Sequence, residues 1–205
     1  RVVMGSLAFR DFRFAALMCD DFFELGGNCF DTAKRYGDAE GLLGQWVQSR
    51  DVREDVVLIT KGAHTPNCYP DSVTEELFES LERLRTEYVD IYFLHRDNPD
   101  VPVGEFIDVL NEHKDAGRIK VFGGSNWTIE RIEEANAYAA RNGKAGFTTL
   151  SNNLSLARMV EAPWDGCLAA SDPDSHSWLH DRQMPLFPWS SQARGFFADG
   201  RADPE

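Results

Sequence analysis

The chain has 205 residues and a formal net charge of -13. That length suffices for one domain with a real core. Such a charge repels polyanions, and with no Lys/Arg cluster to form a basic face it argues against nucleic acid binding. No apolar run approaches the roughly 20 residues of a spanning helix, and no basic segment with a following apolar stretch and cleavage site opens the chain. The four cysteines, Cys19, Cys29, Cys68 and Cys167, are scattered without CxxC spacing. This pattern predicts reduced thiols and a cytoplasmic protein.

Short apolar runs alternate with stretches of helical periodicity. "RVVMGS" reads as a first strand. Phe12, Ala15, Ala16, Cys19, Phe22 and Phe23 then fall at helical spacing, closed by Gly26-Gly27. "NCFDTA" is a second strand, "DAEGLLGQWVQS" a helix and "VVLITK" a third strand without polar alternation, as expected when both faces are covered. "PDSVTEELFESLERLRTE" is the clearest helix, with Asp71 or Ser72 as cap and Val73, Leu77, Leu81 and Leu84 along one face. "VDIYFLH" is a fourth strand, and a helix follows that ends at Gly117. "IKVFGGSN" is a fifth strand, followed by a helix capped by Thr128 and closed by Gly143. "FTTLSN" is a sixth strand, "PDSHSWLHDRQ" holds a short helix and "MPLFPWS" is a seventh strand.

Repeated strand–helix alternation implies a parallel sheet covered by helices. No Gly-rich phosphate fingerprint follows the first strand, which argues against an open dinucleotide-binding sheet. Polar residues recur at strand C-termini: Asp31, Lys61, His95, Ser125, Asn126, Asn152 and Ser190. In a barrel those ends converge on one face. The expected fold is therefore α/β, a (β/α)8 TIM barrel with about seven of eight strands, forming one domain over 1–205.

Asp31, Tyr36, Lys61 and His95 form the candidate catalytic set. A tyrosine titrates near about 10 when unperturbed, so a neighbouring ammonium is needed to make it a useful acid at neutral pH. Lys61 suits that role, Asp31 would hold Lys61, and His95 would orient an incoming oxygen. No side chain donates a hydride, so a nicotinamide cofactor is implied. His176 and His180 are four apart, a spacing open to a metal, but without a matching acid or Cys they read as surface residues and no metal site is expected. A barrel hydrolase would need two strand-end acids about 5–10 Å apart. Asp31 is one, and Asp97 is the only other candidate. Phe9, Trp127, Trp164 and Trp178 are expected as aromatics of a substrate pocket.

The pieces "FDTAKRYG", "LITK", "YVDIYFLHRD", "GRIKVFGGSN" and "PWSSQARGFF" carry a family likeness. The chain resembles an aldo-keto reductase over nearly its whole length. The resemblance implies NAD(P)H-dependent reduction of aldehydes or ketones, with Tyr36 as proton donor supported by Lys61, Asp31 and His95. It implies that Ser125 and Asn126 hold the nicotinamide carboxamide, with Ser151 or Asn152 in place of a usual Gln. Trp189 would stack on the nicotinamide, and Ser190, Gln192 and Arg194 would lie in the loop along the pyrophosphate. The expected cofactor is NADP(H) rather than NAD(H), and the expected partner a small carbonyl substrate. The family has an eighth strand after the "WSSQARG" loop, so the barrel is expected to be truncated after strand seven and completed by a missing segment or a partner chain. The alternative function is a non-catalytic barrel used for cofactor sensing or interaction.

Overall fold

A computed structural model describes residues 2–198. Six parallel strands pair strictly in sequence order: β1 (Met4–Gly5), β2 (Cys29–Asp31), β3 (Val57–Gly62), β4 (Val89–Leu94), β5 (Ile119–Ser125) and β6 (Leu150–Ser151). The first four crossovers are helices α1 (Phe12–Glu24), α2 (Ala39–Arg50), α3 (Pro70–Leu84) and α4 (Val103–Asp115), and α5 (Ile129–Arg141) joins β5 to β6. A sixth helix, α6 (Pro173–Asp181), follows a long irregular segment. Sequential parallel pairing through helical crossovers is the winding of a TIM barrel, and the six strands form its curled half.

The central strands carry apolar side chains on both faces. Their outer side packs on the helices in one large cluster that includes Phe30, Trp46, Tyr92, Phe106 and Trp127. Their inner side gathers Ile59, Ile91 and Phe93, with Val3, Cys29, Val57 and Phe187 against them. The stripe expected on α3 is buried at all four positions, Val73, Leu77, Leu81 and Leu84. Each such burial contributes about 1.5–3 kcal/mol. All four cysteines are free.

Several boundaries differ from expectation. Helix α3 starts at Pro70, with Tyr69 as N-cap and no side-chain cap bond; neither Asp71 nor Ser72 caps it, because proline's fixed φ suits the first helical position. Thr128 does cap α5, accepting from the Arg131 N–H. The expected seventh strand is reduced to isolated parallel bridges, Leu150↔Leu186 and Asn153↔Trp189. Pro185 and Pro188 have no N–H, so the ladder cannot propagate through them. His176 and His180 sit exposed on α6.

Helix α2 meets α3 at Gly44, where a Cβ would lie 2.5 Å from the Leu84 carbonyl carbon, whereas a Cβ at Gly41 of the same helix meets nothing within 4 Å. Replacing an interior helix glycine by alanine ordinarily stabilises by about 1 kcal/mol. Gly41→Ala is expected to do so, while Gly44→Ala should destabilise by about 1–3 kcal/mol through overpacking. Urea unfolding of the two variants checks this, and equal effects would contradict the packing described.

Candidate active site

Strand register sets which side chains face inward. Asp31 pairs with Ile59, Ile59 with Ile91 and Lys61 with Phe93. Phe93 pairs with Gly123, and Ser125 with Ser151. Paired residues share a face and alternate residues return to it. Asp31, Lys61, His95, Ser125 and Ser151 therefore stand on the inner face at the C-terminal ends of their strands, above the apolar floor of Ile59, Ile91 and Phe93.

Lys61 is 2% exposed. Its Nζ donates to Asp31 Oδ1 at 2.5 Å, to Asp31 Oδ2 at 2.6 Å and to the Thr32 carbonyl at 2.9 Å. Burial works against the ammonium, but the Asp31 carboxylate and the Tyr36 phenol outweigh it and hold Lys61 above the ordinary lysine value. Lys61 Nζ lies 5.2 Å from the centroid of the Tyr36 ring. Tyr36 reaches this place through a tight turn in which its N–H donates to the Ala33 carbonyl at 2.9 Å, and Gly37 follows with φ +59°.

His95 is 8% exposed and its N–H donates to the Gly62 carbonyl at 2.7 Å. Its ring meets the Tyr36 ring edge-on, at 5.9 Å between centroids and 80° between planes. Burial, and then the charges of Lys61, His64, Arg96 and Arg35, depress its pKa well below the ordinary histidine value. The imidazole is therefore neutral at physiological pH, with one N–H to donate and one bare nitrogen. The four expected catalytic side chains are thus adjacent, and together they set a charged amine, a phenol and a neutral imidazole at the strand ends.

The residues expected at the cofactor divide into two groups. Ser125 Oγ donates to the Ser151 carbonyl at 2.9 Å. Asn126, in the left-handed region with φ +58°, donates to Ser125 Oγ at 3.1 Å and to the His95 carbonyl at 3.5 Å, and its Oδ1 accepts from the Leu168 N–H at 3.1 Å. These bonds tie the tops of β4, β5 and β6 to the segment around Leu168. Asn152 donates to the Trp127 carbonyl at 3.0 Å. Trp189 is held by Asn153, whose Nδ2 donates to its carbonyl at 2.9 Å, and its ring lies 6.5 Å from that of Trp164. Ser190, Gln192 and Arg194 form a separate turn. Ser190 and Arg194 have positive φ, and the Arg194 guanidinium stacks 5.2 Å from the Trp164 ring. No hydrogen bond among the described residues links this turn to the Ser125 group.

Two buried polar atoms in this quarter have no partner among the described residues, Asn152 Oδ1 and Trp189 Nε1. Buried acceptors and donors are rarely left so. A carboxamide offers both an N–H2 and a C=O, so the pair fits a nicotinamide in kind.

Other expectations fare differently. Trp127 is fully buried and packs on Phe106 and Phe147 in the outer core, and Trp178 donates to Glu133 at 2.6 Å, so both serve packing. Phe9 packs on the outer core cluster. Asp97 accepts from Arg131 at 2.9 and 3.1 Å and forms no acid pair with Asp31. Sequence reasoning missed His64, whose ring lies 4.8 Å from that of His95, and Arg96. His64 follows the β3 end by two residues, past Ala63 in a left-handed turn, a conformation no pattern marks.

Known proteins bear on this arrangement. The profile of the Aldo/keto reductase family matches residues 2–200. The chain belongs to that family. It is 33% identical over 203 residues to Norsolorinic acid reductase B of Aspergillus parasiticus, covering 92% of this chain and 50% of that protein. It is 34% identical over 126 residues to Aldo-keto reductase YhdN of Bacillus subtilis, covering 56% of this chain and 37% of that protein. The fold matches the crystal structure of an aldo-keto reductase from Klebsiella pneumoniae in complex with NADPH, with a TM-score of 0.76 at 24% identity over 97% of this chain and 66% of that one. The chain spans 59% of the probable aryl-alcohol dehydrogenase AAD4 of Saccharomyces cerevisiae and 49% of Norsolorinic acid reductase B of Dothistroma septosporum, so it covers about half the length of such relatives.

The depressed His95 pKa has a sign that can be tested. The unfolded chain takes up this proton near the ordinary histidine value of 6.5 while the folded chain resists it. His95 thus contributes stability that is fully present above about pH 6.5 and is lost as pH falls toward the folded pKa. One proton corresponds to a slope of about 1.4 kcal/mol per pH unit. His95→Gln is expected to flatten unfolding free energy between about pH 6.5 and 5 by up to that slope. His64 and His113, also depressed, add to the slope that remains, while the carboxyls of Asp31 and Glu40, raised by burial, act against it. An unchanged slope in denaturant titrations would contradict a buried neutral His95.

Proposed function

We propose that this aldo-keto reductase family member reduces aldehyde or ketone carbonyls to alcohols with NADP(H), in a single barrel-type domain over 1–205. A nicotinamide, when bound, supplies the hydride that the side chains cannot. Ser125, Asn126, Ser151, Asn152 and Trp189 would hold its ring, and Ser190, Gln192 and Arg194 would lie along its phosphates. The substrate oxygen accepts hydrogen bonds from Tyr36 Oη and the neutral His95 ring, which polarise the carbonyl carbon. As that carbon accepts the hydride, the oxygen takes the Tyr36 proton and becomes a hydroxyl. The phenolate left behind is stabilised by the Lys61 ammonium, which Asp31 keeps charged. The observation that carries this reading is Lys61, buried and bound to Asp31, lying against the Tyr36 ring beside a neutral His95. The reduced thiols keep a cytoplasmic setting as part of the reading.

One observation favours the alternative of a non-catalytic barrel used for interaction over one that binds cofactor. The amide of Asn126 and the hydroxyl of Ser125 are already committed to partners within the fold. A single variant separates the two. With NADPH and an aldehyde, the chain should consume nicotinamide absorbance, and Tyr36→Phe should lower kcat by about 10²–10⁴-fold, the usual worth of a positioned acid. Quenching of tryptophan emission by NADPH should persist in the variant. Turnover unaffected by Tyr36→Phe would refute the proton-donor role, and quenching without turnover in the parent chain would favour the sensing barrel.

A further inference from the structure

His64 has no part in the reaction described above, yet the fold sets its ring against His95. The turn after β3 is held from both sides. Ala63, a non-glycine residue with φ +54°, gives its N–H to Glu76 Oε2 at 2.6 Å, and its carbonyl accepts from the Cys68 thiol at 3.1 Å. The His64 carbonyl accepts from the Asn67 N–H at 2.7 Å. A left-handed alanine persists only where its surroundings over-determine it, and such residues gather at functional sites. This one turns the chain so that the His64 and His95 rings meet edge-on, at 4.8 Å between centroids and 88° between planes.

The nitrogens of the two rings sort into roles. His64 Nδ1 lies 3.0 Å from the Thr65 carbonyl. A carbonyl only accepts, so Nδ1 carries the proton. Burial, with the charges of Arg96 and Arg35, holds the His64 pKa below the ordinary histidine value, against the opposing pull of the Thr65 carbonyl and Glu76. A neutral ring with its proton on Nδ1 has a bare Nε2, which is an acceptor. In His95 it is Nδ1 that is buried without a partner. Neither Nε2 has a partner among the described residues, and neither is among the buried atoms left without one, so both are accessible. His95 Nε2 is then the nitrogen placed to donate to a substrate oxygen. The strand ends therefore present a donor and an acceptor side by side.

We propose that His64 Nε2 accepts a hydrogen bond from a hydroxyl beside the substrate carbonyl, so that the preferred substrates are α-hydroxy aldehydes or ketones; this rests on the reductase reading above. The carbonyl oxygen of such a compound needs a donor and its neighbouring hydroxyl needs an acceptor, which is the pair that His95 and His64 offer. With the rings in edge contact, the two nitrogens serve oxygens on adjacent carbons of one small molecule. A site that covers an acceptor with its substrate discriminates against an analogue that cannot pair it.

The test uses three ketones, α-hydroxyacetophenone, its methyl ether and acetophenone. Each is titrated into the chain by calorimetry with NADP+ present, so that the ketone cannot be reduced. The hydroxy ketone is expected to bind about fivefold more tightly than either of the others, the usual worth of one neutral hydrogen bond. His64→Phe keeps a ring against His95 without the acceptor and should bring all three to equal affinity. His64→Gln returns an acceptor and should restore part of the preference, which a role in packing alone would not allow. His64→Met takes the place of His64→Phe if circular dichroism shows the latter to be unfolded. Equal affinities in the parent chain would overturn the proposal, as would a preference that survives loss of the acceptor. So would an ether that binds as tightly as the alcohol, which would make His64 a donor. Reduction of acetophenone by NADPH, followed separately, reports on the reductase reading alone. A hydroxyl preference without any turnover would sink that reading and leave the His64 contact standing.

Discussion

The site is organised by one constraint, the burial of an ammonium at the mouth of a half-barrel. Lys61 cannot stay charged there unless a carboxylate lies within hydrogen-bonding distance, because desolvation drives a lone buried amine toward neutrality. Asp31 meets the requirement from the adjacent strand, with both its oxygens on Nζ and its side chain still 25% exposed. The pairing needs β2 and β3 parallel and in this register, so the ion pair and the sheet depend on each other. Slipping either strand by one residue would turn one partner to the outer face.

Two further features follow from that pair. Positive charge at Lys61 adds to burial in keeping His95 neutral, and it lies 5.2 Å from the centroid of the Tyr36 ring. One cation thus stands beside the proposed proton donor and keeps its companion from competing as a charged acid. The same need for charge balance explains the neighbourhood of Arg96 and Arg131. Asp97 is committed to Arg131, which also donates to the Asn98 and Val101 carbonyls and so pins the segment between β4 and α4. Arg96 takes the His95 carbonyl and Cys167 Sγ as its acceptors instead.

The parts of the fold legible in the sequence are those that depend on period and strand-end chemistry. Central strands such as "VVLITK" and "VDIYFLH" can be read because they are apolar on both faces, and α3 because its stripe is unbroken. Asp31, Lys61 and His95 stand out as polar groups ending apolar runs, and register then places them side by side. Other features stay hidden for physical reasons. The seventh strand is broken by Pro185 and Pro188, which alternation alone does not weigh. Trp127 has the sequence position of a pocket aromatic because it follows Asn126, but the positive φ of Asn126 redirects the chain and buries the ring among Phe106 and Phe147. The bond of Asn126 to Leu168, and that of Arg96 to Cys167, depend on the segment around Cys167 and Leu168 folding back over the end of β5. Nothing in the local sequence announces that contact.

A charged lysine in a buried place underlies the whole site, and the protonation state of Lys61 tests this most directly. Nitrogen-detected NMR of the Lys61 ammonium, followed across alkaline pH, should show it still protonated at pH 10.5, where an ordinary lysine is half neutral. In Asp31→Asn the midpoint should fall below that value, since desolvation is then opposed only by the Tyr36 phenol. A Lys61 that titrates below 10.5 in the parent chain, or one indifferent to the loss of Asp31, would contradict the account.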